Sequence, residues 1–206
     1  MAATARNHTG VPPLSRLRAS FDRLIERPDP KLDEALNAAT ACFARHGLAH
    51  TSVPDIAREM GVSKATVYRQ IGSVDDVVRL LLAREAHLLI DTLEHTVGDA
   101  TGPDALLDVV TAGIGFASDH PLITKVLRDE PDLAGELLPL LPEFAGATRA
   151  ALQPAIVALL DGADTVSPPG VLADLVVRLT LAALLVTPPD LAAHVRQAFE
   201  PHLRPT

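Results

Sequence analysis

The chain has one cysteine, Cys42, no tryptophan and one tyrosine among 206 residues, and aromatics make up only 3%. A single cysteine excludes an intramolecular disulfide and a cysteine-based zinc site. Beside Phe43, Cys42 reads as a small buried hydrophobe. With so few rings the core must be aliphatic. Leu, Val and Ala in that role favour helices over a β-sandwich, whose strands are enriched in Tyr, Phe, Trp and Thr. Long apolar runs are missing as well. The best candidate, 171–186, is interrupted by Asp174 and Arg178, short of the roughly 18–20 apolar residues that span a bilayer. The first residues lack an apolar secretory core. A cytoplasmic protein without a membrane partner is expected.

What is present is unevenly charged. The net charge is −8, which by itself argues against a nucleic-acid partner. Residues 1–76 nevertheless hold ten Lys and Arg against nine Asp and Glu, whereas residues 77–206 hold eight against seventeen. A near-neutral N-terminal third on a strongly acidic remainder suits a small DNA-reading module whose body repels DNA elsewhere.

The patterning is helical throughout. Leu14, Leu17, Phe21 and Leu24 form the stripe of an amphipathic helix over 14–27, with Arg16, Arg23 and Arg27 off the stripe. Those arginines are either a solvated face or added DNA contacts. Asp29-Pro30 reads as an N-cap and first helical residue, opening a helix to about His46. Gly47 is placed to end it. Ser52 and Asp55 have capping-box spacing before a helix that stops at Gly61. Ser63 caps a short helix ending at Gly72, and Ser73 with Asp76 starts a long helix that runs past Leu93. Further helices are predicted near 104–118, 121–128, 133–161 (broken around 139–142 and near Pro154), 170–186 and 190–203. Every break carries Pro or Gly, and nothing alternates with the period of a strand. The organisation expected is an N-terminal arm over 1–28, a small helical unit over 29–76 and a helical body over 77–206.

The informative segment runs from Ile56 to Tyr68 and has the layout of a helix-turn-helix. Gly61 allows the sharp turn. Ile56, Ala57, Val62, Val67 and Ile71 are spaced to pack the two helices together. The second helix is about 10 Å long at 1.5 Å per residue, short enough for a major groove. Its N-terminus offers free amides to phosphate. Lys64, Ala65, Tyr68 and Arg69 share its outer face.

At this point residues 32–84 resemble the N-terminal domain of the tetracycline-repressor (TetR) family. The stretches that carry the likeness are Ala38-Ala39, Phe43 with Gly47, Thr51-Ser52-Val53, Ile56-Ala57, Gly61-Val62-Ser63-Lys64, Thr66 and Tyr68, then Gly72-Ser73 leading into Asp75-Asp76. The resemblance implies an all-α protein, a three-helix DNA-binding domain on a helical dimerisation and effector domain. It implies a homodimer reading a palindromic operator. Thr51, Ser52 and Ser73 would contact phosphate. Ser63, Lys64, Ala65 and Thr66 would lie at base edges or adjoining phosphates. Tyr68 would bond a phosphate through its hydroxyl, and Arg69 would approach base or backbone. The family commonly has an aromatic where Ile71 stands and a lysine where Val74 stands; the second departure leaves Ser73 and the helix amides to hold that phosphate. Asp119-His120-Pro121-Leu122 and the run from Arg178 to Pro189 are also similar to members of the family. On that likeness the helices at 170–186 and 190–203 form a four-helix dimer bundle, with Leu175, Leu179, Leu181, Leu184, Val195 and Phe199 at the interface.

Other residues admit plainer readings. His87, Asp91 and His95 recur every four residues and are metal-binding types, but one helix face cannot close a site, and a solvated polar stripe is expected. Arg178 and Asp174 read as an intrahelical pair. Thr111, Phe116, His120 and Phe144 either line an effector pocket or fill the core. Any effector should be small and largely apolar, because the body is aliphatic and carries a net charge of −9, which disfavours anions. No cofactor and no metal are implied. The function expected is a ligand-responsive repressor, not an enzyme. The competing readings are a helical protein-interaction module and an all-helical enzyme. The chain lacks paired Glu-x-x-His motifs, a nucleophile elbow and a phosphate-binding Gly-Lys loop.

Overall fold

A computed structural model of the chain describes residues 12–129, 132, 139 and 141–203. Among these the protein is all-α, without a strand. The helices are α1 (Ser15–Leu24), α2 (Asp33–His46), α3 (Val53–Met60), α4 (Lys64–Ile71), α5 (Val74–Val97), α6 (Pro103–Ser118), α7 (Pro121–Asp129), α8 (Leu141–Leu160), α9 (Pro169–Leu185) and α10 (Leu191–Leu203). None is long and apolar enough to cross a membrane.

Two apolar cores are strung on α5. The first joins Leu36, Ala39 and Phe43 of α2, Ile56 and Ala57 of α3, Val67 and Ile71 of α4, and Val77 and Leu81 of α5. The second holds Leu93 and Val97 of α5 with α6, α8, α9 and α10. At 1.5 Å per residue, α5 is about 36 Å long. It therefore reaches from the small N-terminal bundle deep into the body. Leu122 of α7 packs back onto the first core, so the body also touches the bundle directly.

Several expectations change. Asp29-Pro30 opens a 3-10 turn, Pro30–Leu32, rather than the α-helix. The Asp29 carboxylate accepts the Lys31 amide at 2.9 Å, and the Asp29 carbonyl accepts the Leu32 amide at 2.8 Å. The α-helix begins only at Asp33. Pro154 does not break α8, which runs through it. Pro154 and Ala150, whose carbonyl loses its donor, are both exposed, so water can satisfy that carbonyl. The expected break around 139–142 lies partly outside the described residues. Val62 is 38% exposed and not part of the core.

The polar stripe on α5 is solvated only in part: His95 is exposed, but His87 and Asp91 are engaged by the N-terminal segment. His87 is 2% exposed, sealed by Phe21 of α1. Asp91 accepts from Arg27 at 3.0 and 3.1 Å and also pairs with Arg18, which donates to Glu94 at 2.8 Å. The arginine neighbours hold the Asp91 carboxyl below its ordinary range, Arg27 contributing most. Leu14 and Leu17 of the same N-terminal segment join the second core. Thus α1 docks on the body, and Arg27 is spent on α5. The side chains of Arg16 and Arg23 lie outside the described residues.

Candidate nucleic-acid interface

The turn between α3 and α4 follows from three local features. Gly61 adopts a left-handed conformation, φ 67° and ψ 26°, which a side chain would strain. Its neighbour Val62 donates back to the Ala57 carbonyl at 3.0 Å, closing the end of α3. Ser63 then caps α4, its hydroxyl accepting the Thr66 amide at 3.2 Å and lying 2.9 Å from the Thr66 hydroxyl. Val67 and Ile71 are buried against α2 and α3. That anchoring turns Lys64, Ala65, Tyr68 and Arg69 to the outside, with Tyr68 55% exposed. Thr66 is half-buried on the flank.

Charge pairing sets this face apart. Arg45 donates to Glu59 at 2.9 Å, Arg58 to Asp55 at 2.9 Å and Arg79 to Asp76 at 3.4 Å. Lys64 and Arg69 have no acidic partner among the described residues. The cations of the bundle that are not neutralised in place therefore include both on the exposed face of α4. That is the arrangement a polyanion can use, since binding gains from neutralising phosphates.

The flanking residues have local duties. Thr51 is only 7% exposed, and its hydroxyl donates to the Gly47 carbonyl at 2.7 Å. That hydroxyl proton closes the loop before α3, which leaves the side chain none to donate to the phosphate expected at Thr51. Ser52 donates through its amide to Asp55 at 3.0 Å, and its hydroxyl pairs with the same carboxylate. These bonds, Ser52 first and then Arg58, pull the Asp55 carboxyl down to about 2. Ser73 and Asp76 repeat the motif at α5, with the Ser73 hydroxyl donating at 2.7 Å. Gly72 is required there. Its φ is 74°, and a Cβ would sit 2.6 Å from the Asp76 carboxylate. Each of these two helix starts thus already carries a carboxylate, a feature the capping-box spacing signalled.

In the body, Phe116 and His120 come together with ring centroids 6.2 Å apart. Thr111 is on the same helix, but its hydroxyl donates to the Leu107 carbonyl at 2.8 Å. The Phe144 side chain lies outside the described residues. Sequence reasoning missed Glu85, which meets His120 Nε2 at 3.2 Å.

Of the expected interface residues, Leu175, Leu179, Leu181 and Leu184 are half-buried on α9. Val195 and Phe199 are corrected: both are 0% exposed within the chain's own core. Their stripe faces α6 and not a partner, because α10 folds back onto the body. Exposed apolar surface lies instead on α8 and α9, at Val157 (55%) and Leu185 (75%). Asp174 and Arg178 form the expected pair at 2.6 Å. Between the helices is a shallow depression of about 800 Å³ bounded by Arg149, Gln153, Val157, Val171 and Arg178.

These features define a helix-turn-helix DNA-binding domain carried on an all-helical body. Residues 35–79 match the family described as bacterial regulatory proteins, tetR family, and the first apolar core lies almost wholly within them. That segment is thus similar to the DNA-binding part of TetR-family transcriptional regulators. The chain's fold is similar over most of its length to three solved structures. The fatty acid degradation regulator FadR from Bacillus halodurans is 20% identical, with 86% of this chain and 97% of that one covered and a TM-score of 0.51. A TetR-family regulator from Pectobacterium atrosepticum is 16% identical, with 90% and 91% covered and a TM-score of 0.55. The ketosteroid transcriptional regulator KstR2 of Mycobacterium tuberculosis is 17% identical, with 86% and 95% covered and a TM-score of 0.50. No curated protein matches the chain.

Proposed function

We propose that this DNA-binding regulator is a homodimeric repressor of a palindromic operator, released by a small, largely apolar effector. The observation that carries the DNA site is the pair of unneutralised cations, Lys64 and Arg69, on the outer face of α4. Lys64, Ala65, Thr66 and Arg69 read base edges and adjoining phosphates. Tyr68 bonds a phosphate, and Ser52, Ser63 and Ser73 flank the contact. The exposed apolar residues of α8 and α9, Val157, Val171 and Leu185, supply the dimer surface. The effector acts in the body, whose aliphatic core and net charge of −9 over residues 77–206 suit an apolar molecule.

The test is selection of genomic fragments by the purified protein, followed by titration at several salt concentrations. Affinity for the selected duplex should fall steeply with salt. Failure to retain any duplex, with the protein folded, would favour the helical interaction module.

A further inference from the structure

One polar chain crosses from the body into the DNA-binding bundle. Glu85 of α5 has a partner at each oxygen. Oε1 takes Arg84 Nε at 3.1 Å and Nη2 at 3.0 Å, while Oε2 meets His120 Nε2 at 3.2 Å. Arg84 continues into α2, donating from Nη1 to the Asn37 amide oxygen at 2.9 Å and from Nη2 to the Thr40 hydroxyl at 3.4 Å. Thr40 can accept because its own proton goes to the Leu36 carbonyl at 2.9 Å. Asn37 and Thr40 belong to the helix that carries the core under α4. His120 sits at the corner between α6 and α7. The side chains of Arg84, Glu85 and His120 are 16%, 20% and 11% exposed, so water competes little for these bonds.

The other end of His120 is unfinished. Its Nδ1 is buried and has no hydrogen-bond partner, and the Ser118 hydroxyl two residues earlier is in the same state. A buried polar atom left unpaired is costly. A carboxylate only accepts, so Nε2 carries the hydrogen toward Glu85. In the neutral ring Nδ1 is then a bare acceptor. It calls for a donor, and a serine hydroxyl nearby can donate in turn.

We infer that His120, Glu85 and Arg84 are positioning residues that tie α2 to the α6–α7 corner, and that the free His120 Nδ1 receives a hydroxyl group of the effector. This rests on the reading of the protein as an effector-released repressor and names the chemistry of its body site. A hydroxyl donating to Nδ1 shifts the imidazole against Glu85, and the bridge carries that displacement to Arg84 and to α2. A ligand whose oxygen only accepts gains nothing from a bare Nδ1.

Two measurements on the full chain decide it. The first is affinity for the selected operator, without effector, for Arg84→Met, Glu85→Gln and His120→Phe. Each should bind roughly 5- to 20-fold more weakly while remaining folded, with an unchanged salt slope, since no phosphate contact is removed. Glu85→Gln should lose least, because an amide oxygen still serves one of the two donors. The Arg84→Met/His120→Phe double variant should be no weaker than the worse single variant, since both cut one chain. Wild-type affinity in all three, or losses that add, overturns the bridge. The second is the imidazole resonance of His120 in labelled protein titrated with 1-hexanol, hexyl methyl ether and hexanoate. The alcohol alone should move it, and His120→Phe identifies the signal. No movement, or equal movement with the ether, overturns the hydroxyl assignment. A wild-type protein that retains no duplex would instead refute the repressor reading, whatever the resonance does.

Discussion

Phe21 and His87 meet edge to face, with ring centroids 5.1 Å apart and an interplanar angle of 84°. The contact fastens α1 to the middle of α5, and the Ile25 carbonyl lies 3.0 Å from His87 Nε2. Around it the Arg18 and Arg27 guanidiniums hold Asp91 and Glu94. The N-terminal helix is thereby committed to the body. Leu14→Ala should cost about 2–5 kcal/mol, the usual range for truncating a fully buried leucine, since Leu14 is 1% exposed. Removing the Arg27 charge should leave the salt dependence of operator binding as it is. Denaturant melts of Leu14→Ala and a salt series with Arg27→Ala check both; a reduced slope for Arg27→Ala would put that residue on the DNA.

The same contact shows why part of the molecule was legible and part was not. The helix-turn-helix is written in neighbours: Ser52 with Asp55, Gly61 after α3, Ser63 with Thr66. Caps and left-handed turns are local chemistry and survive in the sequence. Arg18 and Asp91 are 73 residues apart. The stripe of Leu14, Leu17 and Phe21 says that one side of α1 is covered, but not by what. Val195 and Phe199 show the same ambiguity, since a heptad-like stripe looks alike whether it faces a second subunit or its own core. Glu85 gave no signal, because a lone carboxylate on a helix resembles any solvated one.

On the DNA face, Tyr68→Phe should weaken binding to the operator and to scrambled duplex alike, because a phosphate contact positions without reading sequence. Lys64→Ala or Thr66→Ala should also change sequence preference, at about 1–3 kcal/mol for each base edge no longer read. All three side chains lie outside the buried set, so folding should survive. Paired binding curves on both duplexes measure the two effects. Unchanged affinity for all three variants in folded protein would remove α4 from the interface.

Asp55 makes the cap of α3 sensitive to acid. Its carboxyl is lowered from 3.8 to about 2, so the unfolded chain takes up this proton before the folded one does. The contribution to stability is therefore complete above about pH 5 and is lost as the pH falls from about 4 through 2. Asp55→Asn keeps an acceptor for the cap but abolishes the titration. The gap in melting temperature between wild type and Asp55→Asn should be constant from pH 5 to 7 and narrow below pH 4. A gap that stays constant into acid would show that Asp55 is not held low by Ser52 and Arg58.

Leu185 and Phe199 mark the exposed apolar surface and the core of the same domain. Leu185 is 75% exposed and Phe199 is 0% exposed. Truncating Phe199 to alanine should cost about 3–5 kcal/mol, as for other buried aromatics, in monomer and dimer alike. A charge at Leu185 or at Val157 costs the isolated chain little, because neither side chain is packed. If the faces of α8 and α9 close on a second copy, Val157→Glu and Leu185→Glu should shift sedimentation at micromolar concentration from dimer to monomer while the thermal melt of the folded chain persists. Operator affinity should drop with them, since a lone subunit reads a single half-site. Two variants that both sediment as wild-type dimers would place the interface elsewhere, and a wild-type chain that sediments as a monomer would refute the homodimer itself.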